Sequence, residues 1–151
     1  GAPRQGVVLD RPQDASRRSP LIAVDTSSLI AYLSGSAGAD VEATGLALAH
    51  RQAVLPPVVL SELLSDPKLR REVKDVFLDL PLLEILDGYW ERAGLLRAKA
   101  LAHSRRPRLA DTLIAQSCLD HDVELVTRDA DFRYFARLAG LRLFPAASRR
   151  T

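Results

Sequence analysis

A single cysteine, Cys118, occurs among 151 residues, so no internal disulfide can form. The chain must hold itself with a core, and this length is enough for one. A reducing, cytoplasmic compartment is therefore expected. No apolar run approaches the roughly 20 residues that span a bilayer. The opening residues also lack the apolar stretch of a secretory signal. No membrane role is expected. Aromatic residues make up only 5% of the chain, too few for a general platform that stacks the bases of a single strand. Lysine is scarce as well: of 21 basic residues, only Lys68, Lys74 and Lys99 are not arginine. There is no GxSxG, Walker A or GxGxxG pattern, which leaves triad hydrolases, P-loop enzymes and dinucleotide-binding proteins without support. No lysine follows Lys99 to complete a phosphoacceptor receiver. The segment DTSSL lacks the second aspartate of a haloacid-dehalogenase-type phosphatase.

What is present is an alternation of short apolar runs with helical patterns. Residues 1–19 are rich in Pro, Arg, Gln and Ser without a period, and read as a flexible N-terminal extension. The folded unit is expected over 20–145, followed by a tail at 146–151. Within it, Leu21–Val24, Ala53–Leu55, Leu82–Leu86, Glu124–Thr127 and Leu141–Phe144 read as strands. Helical patterns cover Thr26–Leu33, Asp40–Arg51, Val58–Ser65, Pro67–Asp79, Tyr89–His103, Leu109–Asp120 and Ala130–Leu138. In the fourth of these, Val73, Val76, Phe77 and Leu80 should face inward. Such alternation predicts an α/β fold: a mainly parallel central sheet of four to five strands with helices on both faces. Ligands of such sheets gather at the carboxyl ends of the strands.

Acidic residues fall at those ends. Asp25 directly follows LIAV. Glu62 is enclosed by apolar residues in VVLSELLS. Asp111 lies in the first turn of RLADTLIAQSCLD, and Asp129 and Asp131 follow the fourth strand in LVTRDADF. Each has an ordinary explanation alone: a helix N-cap for Asp25, a solvated face for Glu62, dipole stabilisation for Asp111, a turn for the last two. Thr26, Ser27 and Ser28 already offer capping hydroxyls, however, which makes an acid before them locally redundant. Brought to one sheet edge, the five would repel one another, by about 4 kcal/mol for two charges 4 Å apart at an effective dielectric of 20. Such a cluster persists if it retains protons or binds a cation. An all-oxygen site suits Mg²⁺ or Mn²⁺, as one ion or two. His50, His103 and His121 lack the spacing of a zinc site and read as surface residues.

The stretch from Arg92 to Ala110 carries Arg92, Arg97, Lys99, Arg105, Arg106 and Arg108 and no acid. A basic strip beside an acidic, metal-loaded pocket suits a phosphate-backbone ligand. Arg105, Arg106 and Arg108, in a Pro-containing loop, and Arg128, between Thr127 and Asp129, are the candidate RNA contacts. For Arg128 a pairing with Asp129 or Asp131 is the alternative. Trp90 reads as a core or interface residue.

The segments VDTSSLIAYL, VVLSELL, LADTLIAQSCLDHDVELVTRDADF and GLRLF, in this order over residues 21–144, resemble the PIN-domain nucleases, most of all the VapC-type toxins of bacterial toxin–antitoxin (VapBC) pairs. The resemblance implies that Asp25, Glu62, Asp111 and Asp129 form the catalytic, metal-binding quartet. Asp131 matches an additional metal-binding acid, and Thr127 the hydroxyl beside the metal. Asp25 and Asp111 would be the principal ligands. The activity implied is Mg²⁺- or Mn²⁺-dependent endoribonuclease cleavage of tRNA or rRNA, leaving a 5′-phosphate and a 3′-hydroxyl. The partners implied are a VapB-type antitoxin and a second copy of the chain. Apolar faces on Thr26–His50 and Val58–Leu80, broader than one sheet side can cover, also suggest a homodimer. A housekeeping RNA-processing nuclease, or a catalytically silent module binding RNA or protein, are the competing readings.

Overall fold

A computed structural model of the chain describes residues 6–7 and 20–144. The expectations for the rest of the extension and for the tail lie outside the described residues. The strands are β1 (Gly6–Val7), β2 (Ile22–Val24), β3 (Ala53–Val54), β4 (Leu82–Leu83), β5 (Glu124–Val126) and β6 (Leu143–Phe144). The helices are α1 (Thr26–Leu33), α2 (Ala39–Ala49), α3 (Pro57–Leu64), α4 (Arg71–Asp79), α5 (Tyr89–Ala102), α6 (Leu109–His121) and α7 (Phe132–Ala139). Four strands form a parallel sheet in the order β3-β2-β5-β6. A bridge from Leu55 to Leu82 carries β4 to its β3 edge, and β1 pairs in parallel with β4. Gly6–Val7 thus supplies a short strand from a segment whose composition shows none.

The sheet forms where the chain is apolar on both faces. Ala23, Val24, Val54, Leu55, Leu125 and Val126 are all essentially without solvent contact. Leu29, Val59, Ile114, Ala115, Cys118, Phe132 and Phe135 from the surrounding helices complete the core, giving the expected α/β/α arrangement. Pro57 stands at the first turn of α3, where its missing N–H costs no hydrogen bond. No described helix is long and apolar enough to cross a membrane.

Several local expectations need correction. The strand predicted over Leu82–Leu86 stops at Leu83, and Gly88, at φ +82°, turns the chain into α5. Val76 is exposed, not inward. On α5 the buried face is Tyr89, Ala93, Leu96 and Ala100, so Trp90 stands out in solvent at 61% exposure rather than in the core. His121 is buried, its Nε2 at 2.7 Å from the Glu84 carbonyl. The other two histidines are exposed as expected.

β2 and β5 are neighbours at the centre. From β2 the chain goes to β3 on one side and later returns to β5 on the other, which makes the β2–β5 junction the topological switch point. Their register aligns Val24 with Val126. Asp25 and Thr127 therefore leave the sheet side by side.

Candidate active site

Asp25 occupies the N-cap position of α1, yet its side chain makes no capping bond. Its Oδ2 instead accepts from Ser27 Oγ at 2.7 Å and from Thr127 Oγ1 at 2.9 Å. Only 5% of the residue is exposed. Burial raises the Asp25 carboxyl above the ordinary carboxylate range. The two hydroxyls oppose the rise, and the charge of Asp129 adds to it.

Thr127 joins the two sides of the junction. Besides donating to Asp25, its Oγ1 accepts from the Asp129 N–H at 3.0 Å. Asp129 in turn takes the Asp131 N–H on its Oδ1 at 2.9 Å, a local turn that fixes the loop between β5 and α7. From α6, Asp111 reaches the same place. Carboxylate oxygens of Asp111, Asp129 and Asp131 lie within 4.8 Å of one another. Glu62, on the solvent side of α3, accepts from Thr26 Oγ1 at 2.9 Å.

Asp111 records the crowding. Its pKa is pushed up to about 6, first by burial, then by the negative charges of Asp129 and Asp25. Arg108 pulls it back, and Glu62 adds a smaller rise. The other three members of the predicted quartet thus act on its carboxyl. Asp25 lies outside this group of three, and its charge still reaches Asp111. The donors are all carboxylate oxygens, and they carry more negative charge than the local cations offset. This donor set fits a hard divalent cation.

The three hydroxyls of the TSS run offer caps by sequence, yet none of them caps. Thr26 bonds Glu62, Ser27 bonds Asp25, and Ser28 Oγ donates to Asp40 Oδ2 at 2.8 Å. Asp40 was missed altogether. It lies in the first turn of α2, buried, and Arg128 holds its carboxyl below the usual range. No local signal distinguishes it from an ordinary first-turn acid.

The candidate arginines divide. Arg105, Arg106 and Arg108 are exposed on the loop before α6, and Arg97 braces that loop by donating from Nε to the Pro107 carbonyl at 3.2 Å. The Arg105 guanidinium lies 5.0 Å from the centre of the Tyr134 ring, a cation–π distance. Arg108 is close enough to lower the Asp111 pKa. Arg128 differs from its expected place: it neither projects as a free RNA contact nor pairs with Asp129 or Asp131. Its Nε and Nη2 grip Asp40 at 2.9 and 3.1 Å.

Residues 22–138 match the PIN domain family. The chain belongs to the PIN-domain family. This PIN domain is 31% identical to the VapC ribonuclease Mb1587 of Mycobacterium bovis over 130 residues, 81% of this chain and 96% of the relative. It matches ribonuclease VapC11 of Mycobacterium tuberculosis to the same extent. Among solved structures it superposes on VapBC2 from Rickettsia felis with a TM-score of 0.63 at 22% identity, covering 82% of this chain and 96% of that one. FitAcB from Neisseria gonorrhoeae gives 0.64 at 21% identity over the same shares. At these identities the structural likeness carries the fold. It agrees with the parallel sheet and its α/β/α layers.

Proposed function

We propose that this PIN domain is a metal-dependent endoribonuclease and the toxin of a type II toxin–antitoxin pair. The observation that carries the reading is the meeting of Asp111, Asp129 and Asp131 within 4.8 Å, with the charge of Asp25 and Glu62 felt at Asp111. Support for RNA as substrate comes from the ribonuclease relatives and from the exposed arginines beside the pocket.

Asp111, Asp129 and Asp131 would hold Mg²⁺ or Mn²⁺, one ion or two, with Asp25 behind them. A bound divalent cation lowers the pKa of water and offsets charge on the leaving oxygen of a phosphodiester. The protein's own groups do the rest. Thr127 ties Asp25 to the Asp129 backbone and so sets the distance between the two sides of the pocket. Glu62, fixed at Oε1 by Thr26 and open to solvent, takes the proton of the attacking water. Water oxygen bonds to phosphorus as the bond from phosphorus to O3′ breaks. The products are a 5′-phosphate and a 3′-hydroxyl, the latter protonated by solvent. Arg105, Arg106 and Arg108 form a positive rim for the flanking phosphates.

Partners follow from the same reading: tRNA or rRNA as substrate, a VapB-type antitoxin, a second copy of the chain, and a cytoplasmic site of action. Ile30, Leu33 and Leu46 on α1 and α2, with Val76 and Leu78 on α4, are exposed apolar residues that a dimer or antitoxin would cover.

The purified protein should cut RNA with Mg²⁺ or Mn²⁺ and stop when EDTA is added. Asp129→Asn should reduce cleavage by more than about 100-fold with an unchanged circular dichroism spectrum. Undiminished cutting in EDTA, or by Asp129→Asn, would remove the proposal.

A further inference from the structure

Arg128 stands between two residues of the pocket, yet its guanidinium serves another segment. Nε donates to Asp40 Oδ2 at 2.9 Å and Nη2 to Oδ1 at 3.1 Å, a two-pronged grip across 88 residues of sequence. Nη2 also donates to the Ala37 carbonyl at 3.0 Å. The Asp40 carboxylate is held from a third side by the buried Ser28 hydroxyl of α1. Three segments therefore meet at one ion pair: α1 through Ser28 on Asp40, the approach to α2 through the Ala37 carbonyl on Arg128, and the loop after β5 through Arg128 itself.

The backbone is shaped around this contact. Gly38 has φ +146°, and a Cβ there would lie 2.6 Å from Asp40 Oδ1 and 3.1 Å from Arg128 Nη2. Any larger residue would both strain the chain and push the two side chains apart. A two-pronged guanidinium–carboxylate pair fixes orientation as well as distance. What it orients is the short segment Thr127–Asp131, which carries Thr127, Asp129 and Asp131.

We propose that Asp40 and Arg128 are a positioning pair, which sets the β5–α7 loop so that Asp129 and Asp131 meet Asp111 at metal-binding distance. The role rests on the metal-dependent reading of the pocket. Neither residue touches the reacting atoms. Losing the pair frees the loop, so the acids remain present but no longer share one small volume. The pair Arg92–Asp120, joining α5 to α6, has the same chemistry but sits in the last turn of α6, at the opposite end of that helix from Asp111. It serves as the internal control.

The test is Mn²⁺ binding to the full chain, followed by electron paramagnetic resonance, beside RNA cleavage kinetics and thermal melting. Asp40→Asn and Arg128→Gln should each weaken Mn²⁺ binding about 10- to 100-fold, the range for groups that orient metal ligands. The kcat should fall while the KM for RNA stays near that of the wild type. The double variant should lose no more than the worse single, because the two residues act as one unit. Asp120→Asn should lower the melting temperature and leave Mn²⁺ affinity unchanged. If Asp40→Asn fails to fold, Arg128→Gln, which leaves the Ser28 bond to Asp40, carries the test. Wild-type Mn²⁺ affinity in folded Arg128→Gln would overturn the positioning role while leaving the metal reading intact. Absence of Mn²⁺ binding by the wild-type protein would overturn the metal reading itself, and the role with it.

Discussion

Two sets of buried or half-buried aspartates in this small protein meet opposite treatment. Asp40 and Asp120 each receive an arginine fork and a further side-chain donor, Ser28 for one and Gln116 for the other. Asp25 and Asp111 receive no cation at bonding distance among the described residues. Asp25 has the Ser27 and Thr127 hydroxyls and the Thr26 backbone N–H, and Asp111 is raised by the charges of other acids against a weaker pull from Arg108. The first set is lowered in pKa and the second raised. Residue type is the same throughout; the surroundings decide which way each carboxyl is shifted. The chain neutralises acids with arginine at two places and leaves two others, one at the end of β2 and one in the first turn of α6, without such a partner.

The comparison can be broken from either side. The largest effect should come from Thr127→Val, which removes the hydroxyl joining Asp25 to the Asp129 backbone. Cleavage should fall about 10- to 100-fold, read as initial rates at saturating metal. A rate within twofold of the wild type would show that Asp25 and Asp129 need no link. A smaller effect concerns stability without metal. The folded carboxyl of Asp111 binds its proton more tightly than the unfolded one, so the metal-free fold is favoured at low pH and loses that advantage as pH rises from about 4 through about 6. Asp111→Asn should abolish this part of the pH dependence and stabilise the metal-free protein at pH 7 by on the order of 1 kcal/mol, discounted for partial exposure. Calorimetry in EDTA at several pH values measures both. A melting temperature for Asp111→Asn that tracks the wild type across that range would refute the crowding. The smallest effect on catalysis should come from Asp120→Asn, which breaks a pair of the first set. It should melt several degrees lower yet cleave RNA within about twofold of the wild type.

Much of this arrangement could be read before any coordinates. Thr26–Leu33 was predicted to the residue, because a buried strand and a run of hydroxyls mark its start without ambiguity. The nearness of Asp25, Asp111, Asp129 and Asp131 was legible because each follows a strand or opens a helix, and parallel topology sends those ends to one edge. The partners were not legible. Whether Ser27 caps a helix or bonds Asp25 depends on Thr127, a hundred residues away, which competes for the same oxygen. His121 looks like a surface residue at the end of a helix, and only the passage of Glu84 beneath it makes it buried. Arg128 has acids on its own loop, and sequence spacing favours them. The fold gives it Asp40, which is better shielded from water and offers both oxygens at once.

The central pairing of β2 with β5 joins positions a hundred residues apart, and the bond from Thr127 to Asp25 spans 102. During synthesis Asp25 must wait for about a hundred further residues before it meets Thr127. The architecture delays assembly of the pocket until the segment that follows β5 has been made.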